Sequence, residues 1–483
     1  MQTARARRDT MAKADLAWLR MEQPDNLMMI TGVMILAAPL DLDTLRQRVA
    51  QRFRAYPRFR QRPVDLEVLA YWETDPGFDL SWHVQGLELP GSAGERELQQ
   101  RVGELASTPL DTARPLWQFH LLADYLGGSA VVARIHHCYA DGLALVQVLR
   151  TLTDPGPDFA APVPDDPPPW PDQHEYGDGG GLFGPVIEQF GQAVQRVEEV
   201  MKRTSGLLRK GLDLYHDPAR AVALARDGGD IVAELAQALA LPDDHATALQ
   251  GPLGGSKRCA WAEPLDLDEV KAVGRGYGCS VNDVLLSVAA GALRGHLLER
   301  GDALDGVDIR AMTPVNLRRS IRPGELGNQF GLVFLDLPIG EADPVQRLRQ
   351  VHRNMDRLKA SRQAQATCGA LAALGMSASP VQRAALDFLT RKASLVATNV
   401  PGPRKPLYLA GRRIDRLMFW VPQSGRIGTG ISLFSHQGRV HFGLIADAER
   451  IPDPADVTRR FKPEFERLLY TLLMSEWEVA GEG

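Results

Sequence analysis

The densest chemistry in the chain is His136-His137-Cys138-Tyr139-Ala140-Asp141-Gly142, two imidazoles, a thiol and a carboxylate in one short stretch. An imidazole with its ordinary pKa near ~6.5 is neutral enough at cellular pH to take a proton from a hydroxyl. The residues before it, Ala130 to Ile135, are β-prone and largely apolar, so the pair stands at the end of a buried strand. Side chains alternate along a strand, which puts His137 on the face of Ile135 and Ala133, and His136 on the face of Arg134. The apolar run Leu143–Leu149 then reads as a buried helix, with Asp141-Gly142 making the turn into it. One histidine can therefore face a reaction channel while its neighbour is used for support. Each reading has a plainer rival. Adjacent histidines also serve as packing residues, Asp141 is a residue type that caps helices, and a small residue at a strand end accounts for Cys138 as well as a nucleophile does.

Other segments decide. The HHxxxDG signature resembles the active-site motif of the CoA-dependent acyltransferase superfamily. The rest of the chain is similar to the bacterial wax ester synthase/diacylglycerol acyltransferase family in particular. The segments that carry this are Asp15-Leu16-Ala17-Trp18-Leu19-Arg20-Met21-Glu22, His83-Val84, Pro109-Leu110-Asp111 and Arg114-Pro115-Leu116-Trp117. Further along come Val281-Asn282-Asp283-Val284-Leu285, Thr313-Pro314-Val315-Asn316-Leu317-Arg318, Gly327-Asn328-Gln329-Phe330-Gly331 and Thr398-Asn399-Val400-Pro401-Gly402-Pro403.

The resemblance implies an α/β protein with two chloramphenicol-acetyltransferase-like lobes. Each is a mixed sheet with helices; a long helical linker joins them, and the active-site channel runs between them. It implies direct transfer of a long-chain acyl group from acyl-CoA to a fatty alcohol or a diacylglycerol, with no cofactor or metal. His137, four residues before Asp141, takes the catalytic position as general base, with His136 on the opposite strand face as its support. Asp141 turns away from the substrate and fixes the loop through an ion pair with an arginine that the sequence does not identify. Asn282 either orients the acyl carbonyl or histidine network from the second lobe, or only fills the first turn of a helix that Ser280 and Asp283 cap. Glu22 falls where the family has a channel-lining glutamate. The chain departs just after it, with Met28-Met29 where relatives usually carry Met-His. Arg404 and Lys405 are candidates for the CoA phosphates. The competing readings are a condensation-type acyltransferase fed by a carrier protein and a non-catalytic lipid-binding relative.

Composition agrees. A chain of 483 residues suggests two domains plus connections. A net charge of −5 argues against a nucleic-acid partner. No apolar run approaches the ~20 residues that cross a bilayer. The cysteines Cys138, Cys259, Cys279 and Cys368 show no metal-ligand or disulfide spacing, so a cytoplasmic setting is expected, with a membrane or lipid-droplet surface as the place where apolar substrates are met. Residues 1–10 are a start-site extension or a short arm, with Met1 and Met11 both eligible as the first residue.

The organisation reads as a first lobe over 1–155, a Pro/Gly-rich linker with helices over 156–255 and a second lobe over 256–483. In the linker, Phe183 to Met201 has the spacing of an amphipathic helix, and a second helical region spans roughly 219–241. Strands are expected at Met28–Ala38, Leu80–Val84, Leu116–Ala123, Val307–Met312, Val333–Leu337, Ser394–Thr398 and Val440–Ile445. Helices are expected at Asp43–Ala55, Asp266–Val273 and from Ser280 to Leu298. A last helix is expected over Val457–Leu472, kinked or delimited by Pro463.

Overall fold

The run Met29-Ile30-Thr31-Gly32-Val33-Met34-Ile35-Leu36 is buried at every position, which a strand achieves only with structure on both faces. The computed structural model describes residues 8–66, 70–158, 240–316, 326–328, 330–361, 363, 367 and 379–481. The two expected linker helices, Arg318, Gln329 and Cys368 lie outside the described residues.

The chain begins with β1 (Arg8–Thr10), α1 (Lys13–Met21), β2 (Met29–Leu36), α2 (Leu42–Arg52), β3 (Gln61–Asp65) and β4 (Ala70–Thr74). Then come α3 (Leu80–His83), β5 (Val84–Leu87), α4 (Glu95–Ala106), β6 (Trp117–Tyr125), β7 (Gly128–His136) and α5 (Gly142–Leu152). The second half holds β8 (Lys257–Trp261), β9 (Leu265–Asp266), α6 (Leu267–Tyr277), α7 (Val281–Glu299), β10 (Ile309–Asn316) and β11 (Phe330–Leu337). It continues with α8 (Pro344–Ala360), α9 (Ser379–Thr390), β12 (Leu395–Pro401) and β13 (Tyr408–Leu409). It closes with β14 (Arg412–Trp420), β15 (Thr429–His436), β16 (Arg439–Asp447) and α10 (Ala455–Gly481).

Two mixed sheets and a small antiparallel sheet of order β1-β4-β3 organise these elements, as expected for the α/β class. The first has the order β13-β14-β2-β7-β6-β5 and the second β11-β10-β12-β15-β16-β8, with β9 also on β16. The sheets do not divide where the lobes were drawn. Strand β14, from the second half, runs antiparallel to β2, pairing Trp420 with Thr31 and Phe419 with Gly32. Without it, the wholly buried β2 would be an open sheet edge. The crossing strand also carries Trp420, whose ring lies 6.5 Å from that of Trp261 on β8.

Local differences have local causes. Leu80–His83 is a one-turn helix instead of a strand, because Asp79 caps it through the Ser81 N–H (2.9 Å) and strand pairing starts only at Val84. Pro463 does not end the last helix, which runs through it. On either side of that proline, Phe461 and Phe465 are buried in the second core, and Phe461 stacks on Phe442 at 4.0 Å. The capping box at α7 is present, with the Ser280 N–H on Asp283 and the Asp283 N–H on Ser280.

Candidate active site

Strand β7 delivers the histidines to a junction between the two halves. Its ladder with β2 ends at His136 opposite Met29, and the His137 N–H adds one more bond, to the Met28 carbonyl (2.8 Å). His137 is therefore the first residue of the turn, not the last of the strand. The turn closes through the Tyr139 N–H on the His136 carbonyl (3.1 Å). A segment of the second half then clamps it: the Asp141 N–H donates to the Gly327 carbonyl and the Gly327 N–H to the Tyr139 carbonyl, both at 3.1 Å.

The two imidazoles point to different partners, both supplied by α1 and the residue after it. His137 stacks on Trp18, ring centroids 4.0 Å apart. It is buried, and burial, with a smaller contribution from His136, pushes its pKa down to about 3. The ring is thus neutral throughout the cellular pH range. His136 Nδ1 accepts the Cys138 N–H (3.1 Å), so its own proton sits on Nε2, which lies 3.0 Å from Glu22 Oε2. Burial works to raise the Glu22 carboxyl, but His136 and the Met28 N–H (3.2 Å) together hold it below the ordinary glutamate range. Glu22, expected on the channel wall, turns its carboxylate onto His136. Met28 takes part through its backbone, and Met29, the residue at which the chain departs, pairs with His136 at the end of the ladder.

Asn328 completes the turn from the second half, donating to Asp15 Oδ1 (2.9 Å) and to the His137 carbonyl (3.0 Å). Trp18, Asp15 and Asn328 all lay inside segments that carried the resemblance, but nothing in their spacing gave them a role. Asp141 is buried at the head of α5, where its carbonyl accepts the Leu145 N–H (2.9 Å). Arg134 engages Gln118 Oε1 (3.1 Å) and the Thr108 carbonyl. Burial, with Asp15 and Glu22 adding to it, pushes the Cys138 thiol well above its usual range and keeps it protonated. Asn282 sits in the first turn of α7 and accepts a hydrogen bond from Asn399 of β12, so two distant matched segments meet there. Arg404 and Lys405 are exposed between β12 and β13.

Beneath α5 lies an apolar cavity lined by Ile30 and Gly32 of β2, Ala133 and Ile135 of β7, Gly142, Leu145 and Leu149 of α5, and Phe419 of β14. Gly32 faces Ala133 directly across the ladder, as Ile30 faces Ile135. A Cβ on Gly32 would meet nothing closer than 3.7 Å, so the backbone does not require glycine there.

Two mixed sheets with a histidine-bearing turn at their junction define a two-lobed acyltransferase fold. The first condensation domain of the CDA synthetase is similar in fold alone (14% identity, 96% of each chain, TM-score 0.55). The wax ester synthase/diacylglycerol acyltransferase catalytic domain matches residues 11–285, and the WS/DGAT C-terminal domain matches residues 326–469. The chain belongs to the wax ester synthase/diacylglycerol acyltransferase family and is an acyltransferase. It is 27% identical over 472 residues, 94% of each chain, to a Mycobacterium tuberculosis protein named probable diacylglycerol O-acyltransferase tgs1. A second protein of that organism, named probable diacylglycerol O-acyltransferase tgs2, is 29% identical over 462 residues, covering 92% of this chain and 95% of its own. The wax ester synthase/diacylglycerol acyltransferase of Marinobacter aquaeolei is similar in structure (TM-score 0.64, 21% identity, 96% of this chain and 100% of that one). Among the described residues, no helix is long and apolar enough to cross a membrane.

Proposed function

We propose that the chain transfers a long-chain acyl group from acyl-CoA to the hydroxyl of a fatty alcohol or a diacylglycerol, with His137 as the general base. The observation that carries this reading is a buried, neutral imidazole at the junction of the two halves, one residue beyond a strand that walls an apolar cavity. The acceptor oxygen attacks the thioester carbonyl as His137 takes its proton. The carbon–sulfur bond breaks, and the imidazolium returns the proton to the departing CoA thiolate. The hydroxyl becomes more acidic as the carbon–oxygen bond forms, so the neutral imidazole takes the proton in the same step in a ternary complex of both substrates. The protonated Cys138 supports direct transfer over a thioester on the enzyme.

His136 and Glu22 hold the turn in register, Asp141 anchors the head of α5, and Asn282 with Asn399 supplies polar groups from the second half. The apolar cavity under α5 receives the methyl end of the acyl chain. Arg404 and Lys405 meet the CoA phosphates at the surface, and the apolar substrates are drawn from a membrane or lipid-droplet surface. The test uses purified protein with palmitoyl-CoA and either hexadecanol or dioleoylglycerol, following free thiol and ester. Thiol release requiring both substrates is the expected result. A stable acyl-protein adduct, or release that needs a carrier-protein thioester, overturns the reading.

A further inference from the structure

Away from the histidine turn, three elements of the second half bring together a thiol, a carboxylate and an imidazole. Cys279 follows Gly278, which ends α6 in the left-handed conformation (φ 65°), and the Cys279 N–H is fixed on the Gly274 carbonyl (2.7 Å). Asp283 is held one turn into α7 by the capping box, its Oδ2 accepting the Ser280 N–H (2.9 Å). His352 projects from α8, its Nδ1 2.8 Å from the same Asp283 oxygen. One ligand atom from each residue lies within 4.8 Å of the others.

Capping explains one oxygen of Asp283 and leaves the other unexplained. Asp283 is fully buried, yet its Oδ1 meets no hydrogen-bond donor among the described residues. An unsatisfied buried carboxylate oxygen costs free energy unless a cation or donor fills the gap. The neighbouring groups specify which cation. Sulfur and imidazole nitrogen disfavour Mg²⁺ and Ca²⁺, which take oxygen ligands, and favour a borderline-soft ion. Tetrahedral zinc with Zn–S of ~2.3 Å and Zn–N or Zn–O of ~2.0–2.2 Å needs the thiol to move in and the 2.8 Å His352–Asp283 contact to open slightly. Asp356, one turn further along α8 and 3.3 Å from His352 Nε2, takes the far side of the ring, where a carboxylate orients a metal-ligating imidazole.

We propose that Cys279, Asp283 and His352 form a binding site for a divalent cation of the zinc class, with water completing it. Such an ion ties the α6–α7 turn to α8 and holds the head of α7, where Asn282 meets Asn399. The proposal does not depend on the acyl-transfer reading. Sequence spacing hid it because each ligand comes from a different element.

The test is titration of the full chain, stripped with a chelator, with Co²⁺ and then Zn²⁺. One equivalent of Co²⁺ should give a thiolate-to-metal charge-transfer band that Zn²⁺ abolishes, and Zn²⁺ should raise the unfolding temperature. Cys279→Ser should remove the band. His352→Gln should weaken binding by at least the ~10–100-fold that even supporting residues of metal sites cost. Absence of the band in wild type, or its persistence in Cys279→Ser, would overturn the proposal and leave a capping box with an ion pair.

Discussion

Replacing Glu22 with alanine removes one carboxylate from two donors at once, the His136 Nε2–H at 3.0 Å and the Met28 N–H at 3.2 Å. His136 is 1% exposed, and Glu22 Oε2 is the acceptor that its Nε2 faces. A buried donor left unmet costs about 1–3 kcal/mol, and loss of the Met28 bond adds about 1 kcal/mol. The unfolding temperature should fall by several degrees. Turnover should fall further, because the Met28 carbonyl is what holds the His137 backbone. Displacing a catalytic group by ~1 Å costs up to ~10²-fold, so kcat is expected to drop between about 10- and 10²-fold with little change in KM for acyl-CoA. Glu22→Gln keeps an acceptor oxygen facing both donors and should recover most of the loss. The assay is steady-state thiol release, run beside thermal unfolding. Wild-type kcat and stability in Glu22→Ala would refute the positioning role. Equal damage in Gln and Ala would show that charge acts here, not hydrogen-bond geometry.

Three further outcomes follow from the geometry. Gly32→Val fits the backbone but fills the cavity; turnover with palmitoyl-CoA should fall at least ~10-fold relative to octanoyl-CoA, the scale of discrimination set by pocket methylenes, and equal losses at every chain length would exclude the cavity as the acyl site. Burial pushes His83 and His120 down to about 4 and His137 to about 3, against ~6.5 in the unfolded chain. The unfolded state therefore gains protons that the folded state does not, and stability is lost as pH falls below ~6.5, by about 2 kcal/mol per such histidine near pH 5; denaturant unfolding that shows equal or greater stability at the lower pH would contradict this. Asp141→Asn can still cap α5 but cannot neutralise a cation, so an ion pair predicts a loss of about 3–5 kcal/mol, while wild-type thermal stability would leave Asp141 as a cap alone.

What the sequence made legible was whatever local chemistry or periodicity governs. The strand into His136, the capping box at Ser280 and the α5 helix all follow from residues next to one another. Strand β14 did not stand out, because Arg412, Arg413, Asp415 and Arg416 give its first half the composition of a loop. Its apolar end, Leu417 to Trp420, makes sense only against β2, almost four hundred residues earlier in the chain. The histidine turn was legible as a motif and illegible as an arrangement. That His137 leaves the strand and rests on Trp18, and that Glu22 serves His136, are facts of tertiary contact between segments whose spacing carries no such information.

The central claim is that His137 moves the proton. The direct measurement is turnover of purified His137→Ala with palmitoyl-CoA and hexadecanol or dioleoylglycerol, beside His136→Ala and wild type, with circular dichroism checking each fold. Loss of ~10²–10⁴-fold in His137→Ala, with a smaller loss in His136→Ala, is the predicted result. A folded His137→Ala within a few-fold of wild type, or a reversed order of the two variants, would contradict it.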